Sequence, residues 1–128
     1  MLIEYAGGMK LTINHRGHQA VTDQIESQGG NDSALTPTEL FIGALGSCAG
    51  VYVLNFAQRH GVPVDGLKIE VEYTYAEHPR RVGSVQIQVK MPQPVEAHLL
   101  SGLQKAAEQC LVHNSLRQPP QVSISVTP

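Results

Sequence analysis

The chain has 128 residues, of which 41% are hydrophobic, and its nine Lys and Arg against eleven Asp and Glu give a formal net charge of −2. A chain of this length buries roughly two-thirds of its unfolded surface, so we expect one domain covering residues 1–128. Scattered charges of nearly balanced sign argue against nucleic acid or a membrane surface as a partner. The N-terminus, MLIEYAGGMK, lacks the features of a secretory signal, so we expect a cytoplasmic protein.

Short alternating segments near the N-terminus predict three strands. Their apolar positions are Ile3 and Tyr5, then Leu11 and Ile13, then Ala20. The stretches AGG and HRGH separate them, and glycine there favours hairpin turns. A long polar connection, IESQGGNDSALTP, then leads into the first helix.

The segment TPTE opens a helix that we expect to run to about Arg59. Thr36 as N-cap, Pro37 at the first helical position and Glu39 three residues after the cap form a capping box. Residues 40–57 carry no charge, but the stretch is marginal in length for a membrane span and lacks basic and aromatic flanks. Because apolar residues cover every side, this helix must be buried by a sheet and by a further partner, for which we expect a second subunit.

The second half of the chain predicts two strands, a helix and a last strand. Strict alternation over residues 67–75 and 85–91, around the turn EHPRRVG, is typical of an antiparallel pair. An amphipathic helix follows at about 95–114, and QVSISV at 121–126 predicts the closing strand. The buried face of that helix is predicted to contain Leu99, Leu103, Ala106 and Cys110. The order β-β-β-α-β-β-α-β is an α+β arrangement.

Cys48 and Cys110 are the only cysteines, and their spacing is neither a disulfide framework nor a CxxC pair. Free cysteines are among the most buried residues, so core packing is the simplest interpretation. The alternative is a redox pair, in which an oxidised Cys48 forms a disulfide with Cys110. Cys48 lies about 13 Å inside its helix, so a Cys48 thiolate would need a cation from elsewhere in the chain.

Several residues are candidates for supporting roles around the thiols. The available cations are Lys10, Arg16, Arg80, Arg81 and the six histidines. His113, three residues after Cys110, would share its face on a continuing helix and could activate the thiol, or it could simply interact with the helix dipole. Glu39 could be a base or hold an arginine, but the capping box explains it more simply. Tyr52, one turn beyond Cys48, is expected to line its pocket or to pack in the core.

Metal and nucleotide sites are not indicated by the spacing of the residues that would form them. The histidines form no HxxxH pair and no cluster with cysteine at zinc-finger spacing. A GxGxxG loop after a strand is also absent. We therefore expect no metal and no cofactor.

TPTELFIGALGSC resembles the P-x-E-L-x-x-x-A-L-G-x-C signature of the OsmC/Ohr family, the osmotically inducible and organic hydroperoxide resistance proteins, and EQCLVHNSL is similar to its second cysteine motif. The resemblance implies an OsmC-like fold in which two chains intertwine as a homodimer with two sites at the interface. It also implies that Cys48 attacks the O–O bond of an organic hydroperoxide, that Cys110 resolves the product, and that a dithiol reductant, lipoyl or another small thiol, restores the pair. The apolar pocket would include Phe41, Leu45 and Tyr52.

The sequence departs from the hydroperoxide resistance branch at its activating pair. In that branch an Arg follows a Gly-Gly pair and a Glu lies ten residues before the first Cys, whereas here Met9 and Lys10 follow the glycines and Thr38 takes the place of the Glu. The chain is thus closer to the OsmC-like branch. Lys10 or Arg16 is expected to supply the cation, with His113 in support.

Two functions from different classes follow from these observations. The leading hypothesis is a thiol-dependent peroxidase that reduces lipid-type hydroperoxides in oxidative stress defence. The alternative is a non-catalytic protein that holds a small apolar or thiol ligand in the interface pocket, with its cysteines merely buried. A purely structural dimer is a third and weaker interpretation.

Overall fold

The computed structural model describes all residues from Met1 to Pro128 and contains five β-strands, three α-helices and a short 3-10 helix at Glu26–Gln28. The strands form a three-stranded and a two-stranded sheet, and every pairing is antiparallel. The predicted α+β class is confirmed. The chain divides into two compact units, Met1–Gly43 and Ala44–Pro128, and the single domain over 1–128 stays a prediction.

The first unit begins with the three predicted strands, β1 (Leu2–Tyr5), β2 (Leu11–His15) and β3 (His18–Thr22). They pair in sequence order, and Ile3, Ile13 and Ala20 lie side by side across the sheet. Gly7 and Gly17 occupy the two turns with φ of 95° and 78°, a backbone region that glycine adopts without strain. The hairpins therefore form where the glycine-containing stretches predicted them.

A buried carboxylate organises the polar connection that follows β3. Asp23 is 0% exposed, and it accepts hydrogen bonds from the Ser33 hydroxyl (2.7 Å) and from the backbone N–H groups of Gln24 (2.8 Å), Asn31 (3.2 Å) and Ser33 (3.1 Å). The Ser33 hydroxyl is the main cause that lowers the pKa of Asp23 to about 2. A side chain at Gly30 would bring a Cβ within 1.9 Å of the Gln24 carbonyl oxygen, so the loop folds back closely on itself.

The first helix, α1 (Pro37–His60), begins and ends within one residue of the predicted bounds. The capping box is formed in both directions, since the Thr36 hydroxyl accepts the N–H of Glu39 at 3.2 Å and the Glu39 carboxylate accepts the N–H of Thr36 at 2.8 Å. By length and composition α1 could cross a membrane, with a mean hydropathy of 1.7 over 18 residues. The core helix of a soluble protein meets the same criterion, so this property is weak support for a membrane span.

The burial of α1 is restricted to one side. Leu45, Ala49, Val53 and Ala57 are at most 4% exposed and recur at steps of four residues along one face. Val53 and Ala57 form a core cluster with Val62 and Leu103. On the other side Ala44 and Ser47 are exposed, and Val51 is 53% exposed. The single chain thus buries only one face of α1, although the apolar composition of this helix predicts burial on every side.

The second sheet consists of β4 (Lys68–Ala76) and β5 (Arg81–Lys90), as the alternating pattern predicts. Val71 lies opposite Ile87 in this hairpin. The sheet packs closely on α1, because a Cβ at Gly46 would lie 2.8 Å from Val71 and one at Gly50 would lie 2.4 Å from Ile69. The helix and the sheet can therefore approach this closely only because these two positions carry no side chain.

The predicted helix at 95–114 is wrong at one point, since two helices occupy this region. They are α2 (Ala97–Glu108) and α3 (Leu111–Arg117). Between them Cys110 has an extended backbone, with ψ of 130°, and serves as the N-cap of α3. Neither Gly nor Pro stands at the break. The buried sulfur of Cys110 accepts the N–H of His113 at 3.4 Å, and this contact begins the new helix.

The predicted closing strand at 121–126 is not formed in the single chain. Residues 118–128 adopt no regular secondary structure, and Val122, Ile124 and Val126 are 76%, 89% and 94% exposed. A strand needs a neighbour to bond its backbone and to cover its apolar face. The alternation at 121–126 marks a preference for strand structure, but in the single chain no neighbouring strand pairs with the segment.

Candidate active site

The structure brings the two cysteines together inside the second unit. Cys48 lies on α1 and is half-buried, while Cys110 at the start of α3 is 0% exposed, and both are free thiols. The Cys110 thiol donates a hydrogen bond to the Cys48 sulfur. Leu45 and Ala49 pack around the pair. The predicted need for a second thiol near Cys48 is therefore met by the chain itself.

The environment of Cys48 favours the thiolate. Burial acts to raise the pKa of Cys48, but hydrogen bonds from the Cys110 thiol and from the backbone N–H groups of Val112 and Leu111 outweigh it. The pKa of Cys48 consequently lies below the usual value of a thiol. A thiolate is the nucleophilic form of cysteine, so these three donors increase the reactivity expected of this residue.

The environment of Cys110 favours the neutral thiol. Burial is the main cause that raises the pKa of Cys110, and the hydrogen bond that it donates to Cys48 and the negative charge there act in the same direction. The N–H groups of His113 and Val112 oppose this shift without cancelling it. The pair therefore carries its first negative charge on Cys48 and keeps a proton on Cys110.

Apolar side chains from three elements surround the thiols. Tyr52 on α1, Ile87 on β5 and Val112 on α3 pack against the cluster that contains Leu45 and Cys110. Leu45 and Tyr52 thus pack beside the thiols, and their role as walls of a substrate pocket stays a prediction. Phe41, the third predicted wall residue, belongs to the first unit and is 39% exposed.

A cavity of about 290 Å³ adjoins this cluster within the second unit. Ala49 and Ala107 line the cavity and also pack at the thiol pair. Most of its surface is apolar, and Glu108 and His113 are among its few polar lining residues. A cavity of this size and lining accommodates a small apolar molecule with one polar end.

The predicted cations Lys10 and Arg16 lie in the first unit. The N–H of Lys10 donates to the Gly7 carbonyl at 2.9 Å in the β1–β2 turn, and Arg16 lies in the β2–β3 turn with φ of 50°. Their role beside Cys48 stays a prediction. Glu39, in the same unit, is engaged by both bonds of the capping box, which is the simpler of its two predicted roles.

The other two arginine candidates lie at the tip of the β4–β5 hairpin. Arg80 bonds to the Glu77 carboxylate, and its guanidinium lies 4.6 Å from the centre of the Tyr75 ring. Arg81 donates to the backbone carbonyls of Glu77 and Pro79 at 3.2 and 3.0 Å. Both side chains are thus occupied by contacts within the hairpin.

His113 contributes to the site in a different way from the one that its spacing predicts. Because the helix breaks at Cys110, the backbone N–H of His113 bonds to the Cys110 sulfur, and the residue lines the cavity. No group of three or more His, Cys, Asp and Glu side chains in the chain is placed to hold a metal ion.

Sequence reasoning missed the amides of Leu111 and Val112, which stabilise the Cys48 thiolate. Their N–H groups are free to bond outward only because α3 starts at Leu111. Had the helix continued from 95 to 114, both N–H groups would bond to carbonyls of the preceding turn. No residue type in EQCLVHNSL signals this break, so the two donors leave no recognisable trace in the sequence.

A chain with this α+β fold and two facing cysteines can be compared with known proteins. The profile of the family described as OsmC-like protein matches residues 29–125, and the chain belongs to that family. No curated protein matches the chain in sequence.

Solved structures of the same fold come from several bacteria. A protein of Psychrobacter arcticus, described as an osmotic stress induced and detoxification response protein, is 25% identical with a TM-score of 0.84, over 89% of this chain and 85% of that one. An organic hydroperoxide resistance protein OsmC of Legionella pneumophila is 17% identical with a TM-score of 0.60, over 89% of this chain and 91% of that one. An OsmC-like hydroperoxide resistance protein of Jannaschia is 22% identical with a TM-score of 0.58, over 98% of this chain and 89% of that one.

Proposed function

We propose that this protein is a thiol-dependent peroxidase that reduces organic, lipid-type hydroperoxides, with Cys48 as the attacking thiolate and Cys110 as the resolving thiol. The observation that carries the proposal is the hydrogen bond between two thiols whose pKa values are displaced in opposite directions. A peroxidase of this type needs an ionised thiol for attack and a second thiol within reach. Two relatives of the same fold are named as hydroperoxide resistance proteins, which supports this choice of reaction.

The proposed reaction has two steps on the protein. The Cys48 thiolate attacks the terminal oxygen of R–O–OH, forming Cys48–S–OH and breaking the O–O bond, and the released alkoxide takes up a proton as an alcohol. The Cys110 thiolate then attacks the Cys48 sulfur, and hydroxide leaves and joins the Cys110 proton as water. The pair is thereby oxidised by two electrons to a disulfide, and a dithiol such as a lipoyl group returns those electrons.

The cavity supports an organic hydroperoxide rather than hydrogen peroxide as the substrate. Its volume of about 290 Å³ and its apolar lining match an alkyl or aryl group. Ala49 and Ala107 line this cavity and also pack in the cluster around the thiols, so a group held there would lie beside that cluster. Burial of the apolar group would stabilise binding by roughly 25 cal/mol per Å² removed from water.

The same proposal includes a cytoplasmic homodimer. The uncovered side of α1, with Val51 53% exposed, supports a second copy as the missing cover. The exposed Val122, Ile124 and Val126 support it further, since apolar residues of a strand-like segment need a partner surface. Light scattering should give twice the chain mass of 13.8 kDa, and a monomer in solution would contradict this part of the proposal.

Counting free thiols after treatment with cumene hydroperoxide tests the proposed reaction. With one equivalent of hydroperoxide, the reduced protein should lose both free thiols and release one equivalent of cumyl alcohol. Cys48→Ser should retain its remaining thiol and show no turnover, whereas Cys110→Ser should hold Cys48 as a sulfenic acid that dimedone traps. Two free thiols after treatment of the reduced wild type would refute the proposal.

A non-catalytic binding protein is the second candidate, and the cavity is the observation that favours it, because an apolar cavity of this size can hold a ligand without any reaction. The two candidates differ in the acidity of Cys48. A binding protein with merely buried cysteines would be alkylated slowly near about pH 6, where an ordinary thiol is almost fully protonated. Rapid alkylation of Cys48 under those conditions favours the peroxidase.

A further inference from the structure

The sulfur of Cys110 is covered by the helix that it caps. Cys110 is 0% exposed, and Val112 on α3 packs against the cluster around it. The sulfur also accepts the N–H of His113 at 3.4 Å, so it is held at the first turn of α3. A molecule that is to react at Cys110 must therefore displace part of α3.

Few contacts within the chain hold α3 in place. It has seven residues, none of them buried, and the only side chain that caps its N-terminus is that of Cys110. Helices this short are unstable without packing or capping. We therefore expect α3 to be among the parts of the second unit that open most easily.

Formation of a disulfide would weaken the one cap that α3 has. The two sulfurs must approach to about 2.05 Å, which draws the Cys110 sulfur toward α1 and away from the first turn of α3. A sulfur in a disulfide is also a poorer hydrogen-bond acceptor than a thiol or thiolate. The N–H of His113 then loses its partner, and the helix loses its start.

The two sulfurs of such a disulfide are not equivalent toward a reducing thiol. Cys48 stays on α1, where it packs against Leu45 and Ala49, whereas Cys110 is attached directly to the helix that opens. Opening of α3 therefore uncovers the Cys110 sulfur. The favoured attack is then at Cys110, with Cys48 as the leaving group. This is the sulfur that the folded α3 makes inaccessible.

We propose that α3 is a redox-controlled cover: the Cys48–Cys110 disulfide releases the cap of α3, and the opened helix admits a dithiol reductant to the Cys110 sulfur. One reductant thiolate bonds to Cys110, the Cys48–Cys110 bond breaks, and Cys48 leaves as a thiolate. The second thiol of the same reductant molecule loses its proton and attacks the reductant sulfur that is bonded to Cys110. The bond to Cys110 breaks, the reductant becomes a cyclic disulfide, and the released Cys110 thiolate takes up a proton. The idea rests on the proposed function for its physiological oxidant, but the disulfide itself can be made with diamide.

Substitutions at Asn114 change the stability of α3 without touching the thiols. Asn114 is an exposed residue of α3, and Gly and Ala differ in helix propensity enough to change a local opening equilibrium about fivefold. After oxidation with diamide, Asn114→Gly should be reduced by dithiothreitol about fivefold faster than Asn114→Ala. Ser101→Gly and Ser101→Ala, at an exposed position of α2, are the matched control and should be reduced at equal rates. Equal rates for the Asn114 pair, or an equal difference in the Ser101 pair, would overturn the proposal.

A second measurement identifies the attacked sulfur. Brief treatment of the diamide-oxidised protein with 2-mercaptoethanol, quenched in acid, should give a mixed disulfide on Cys110 in the peptide mass spectrum. A mixed disulfide on Cys48, or diamide that leaves both thiols free, would also overturn the proposal. A protein that diamide oxidises but cumene hydroperoxide does not would instead contradict the proposed function alone.

Discussion

The Cys110 thiol donates a hydrogen bond to the sulfur of Cys48 from the residue at which the helical region breaks in two. The break has two effects on the site. It releases the amides of Leu111 and Val112 to bond to Cys48, and it keeps the Cys110 sulfur buried at the start of a new helix. The acidity of Cys48 thus depends on local backbone geometry at residues 109–112.

The first prediction concerns the acidity of Cys48 when the Cys110 donor is removed. In Cys110→Ala the hydrogen bond to Cys48 is lost, while burial still raises the pKa, so the pKa of Cys48 should increase. The rate of iodoacetamide alkylation against pH should therefore rise at higher pH than in the wild type. Cys110→Ser keeps a hydroxyl donor and a capping oxygen and should shift the profile less. Identical profiles for Cys110→Ala and the wild type would show that the hydrogen bond does not control Cys48.

The second prediction concerns acid stability and Asp23. The pKa of Asp23 is about 2 in the folded chain, against roughly 3.9 when unfolded. The charged carboxylate therefore stabilises the fold fully above about pH 4, and this contribution is lost as the pH falls toward about 2. Asp23→Asn should unfold at lower urea concentration at pH 7, and its difference from the wild type should shrink below about pH 4.

Asp32→Asn is the matched control for Asp23, because Asp32 lies in the same loop with its side chain exposed. It should leave both the urea midpoint at pH 7 and the acid profile nearly unchanged. If the two substitutions have equal effects, the buried hydrogen bonds of Asp23 do not contribute to stability as described.

Local signals in the sequence were sufficient for much of the fold. Thr36 and Glu39 lie three residues apart, so the capping box can be recognised without knowing what the helix packs against. Alternation likewise predicted the β4–β5 pair, in which Val71 lies opposite Ile87. In both cases the interacting groups are close in sequence or follow a fixed period.

The features that the sequence did not predict depend on distant contacts. The break at Cys110 arises where its sulfur is buried against residues of α1, such as Leu45, more than sixty positions earlier in the chain. The loop after β3 depends on Asp23 meeting Ser33, a pairing that no short motif signals. Val122, Ile124 and Val126 have a strand pattern, but a pattern cannot form a strand without a neighbouring strand.

The third prediction concerns a Gly→Ala substitution in α2 that should lower the free energy of unfolding. A Cβ at Gly102 would lie 2.1 Å from the Phe56 ring, which stacks on His60 at 4.0 Å and cannot move away freely. Overpacking of this kind costs about 1–3 kcal/mol, which exceeds the roughly 1 kcal/mol gained in helix propensity. Gly102→Ala should therefore be about 1 kcal/mol less stable in urea unfolding.

The pair Ser101→Ala and Ser101→Gly is the control, since Ser101 is an exposed residue of the same helix. The Ala variant should be more stable than the Gly variant by about 0.5–1 kcal/mol, because only the backbone term acts. A stabilising Gly102→Ala would mean that the contact between α2 and Phe56 is looser than the distance indicates.

The last prediction tests whether the cavity selects the substrate. Leu100 on α2 lines the cavity and is 53% exposed, so Leu100→Trp can narrow the entrance without overfilling the core. If cumene hydroperoxide binds there, its kcat/KM should fall about tenfold, a change that corresponds to about 1.4 kcal/mol. Hydrogen peroxide is small enough to pass, so its kcat/KM should change little. Lys105→Trp, on the same helix but outside the cavity lining, should affect neither substrate. An equal loss for both peroxides in Leu100→Trp would place the organic group elsewhere, because a narrowed cavity must discriminate by size.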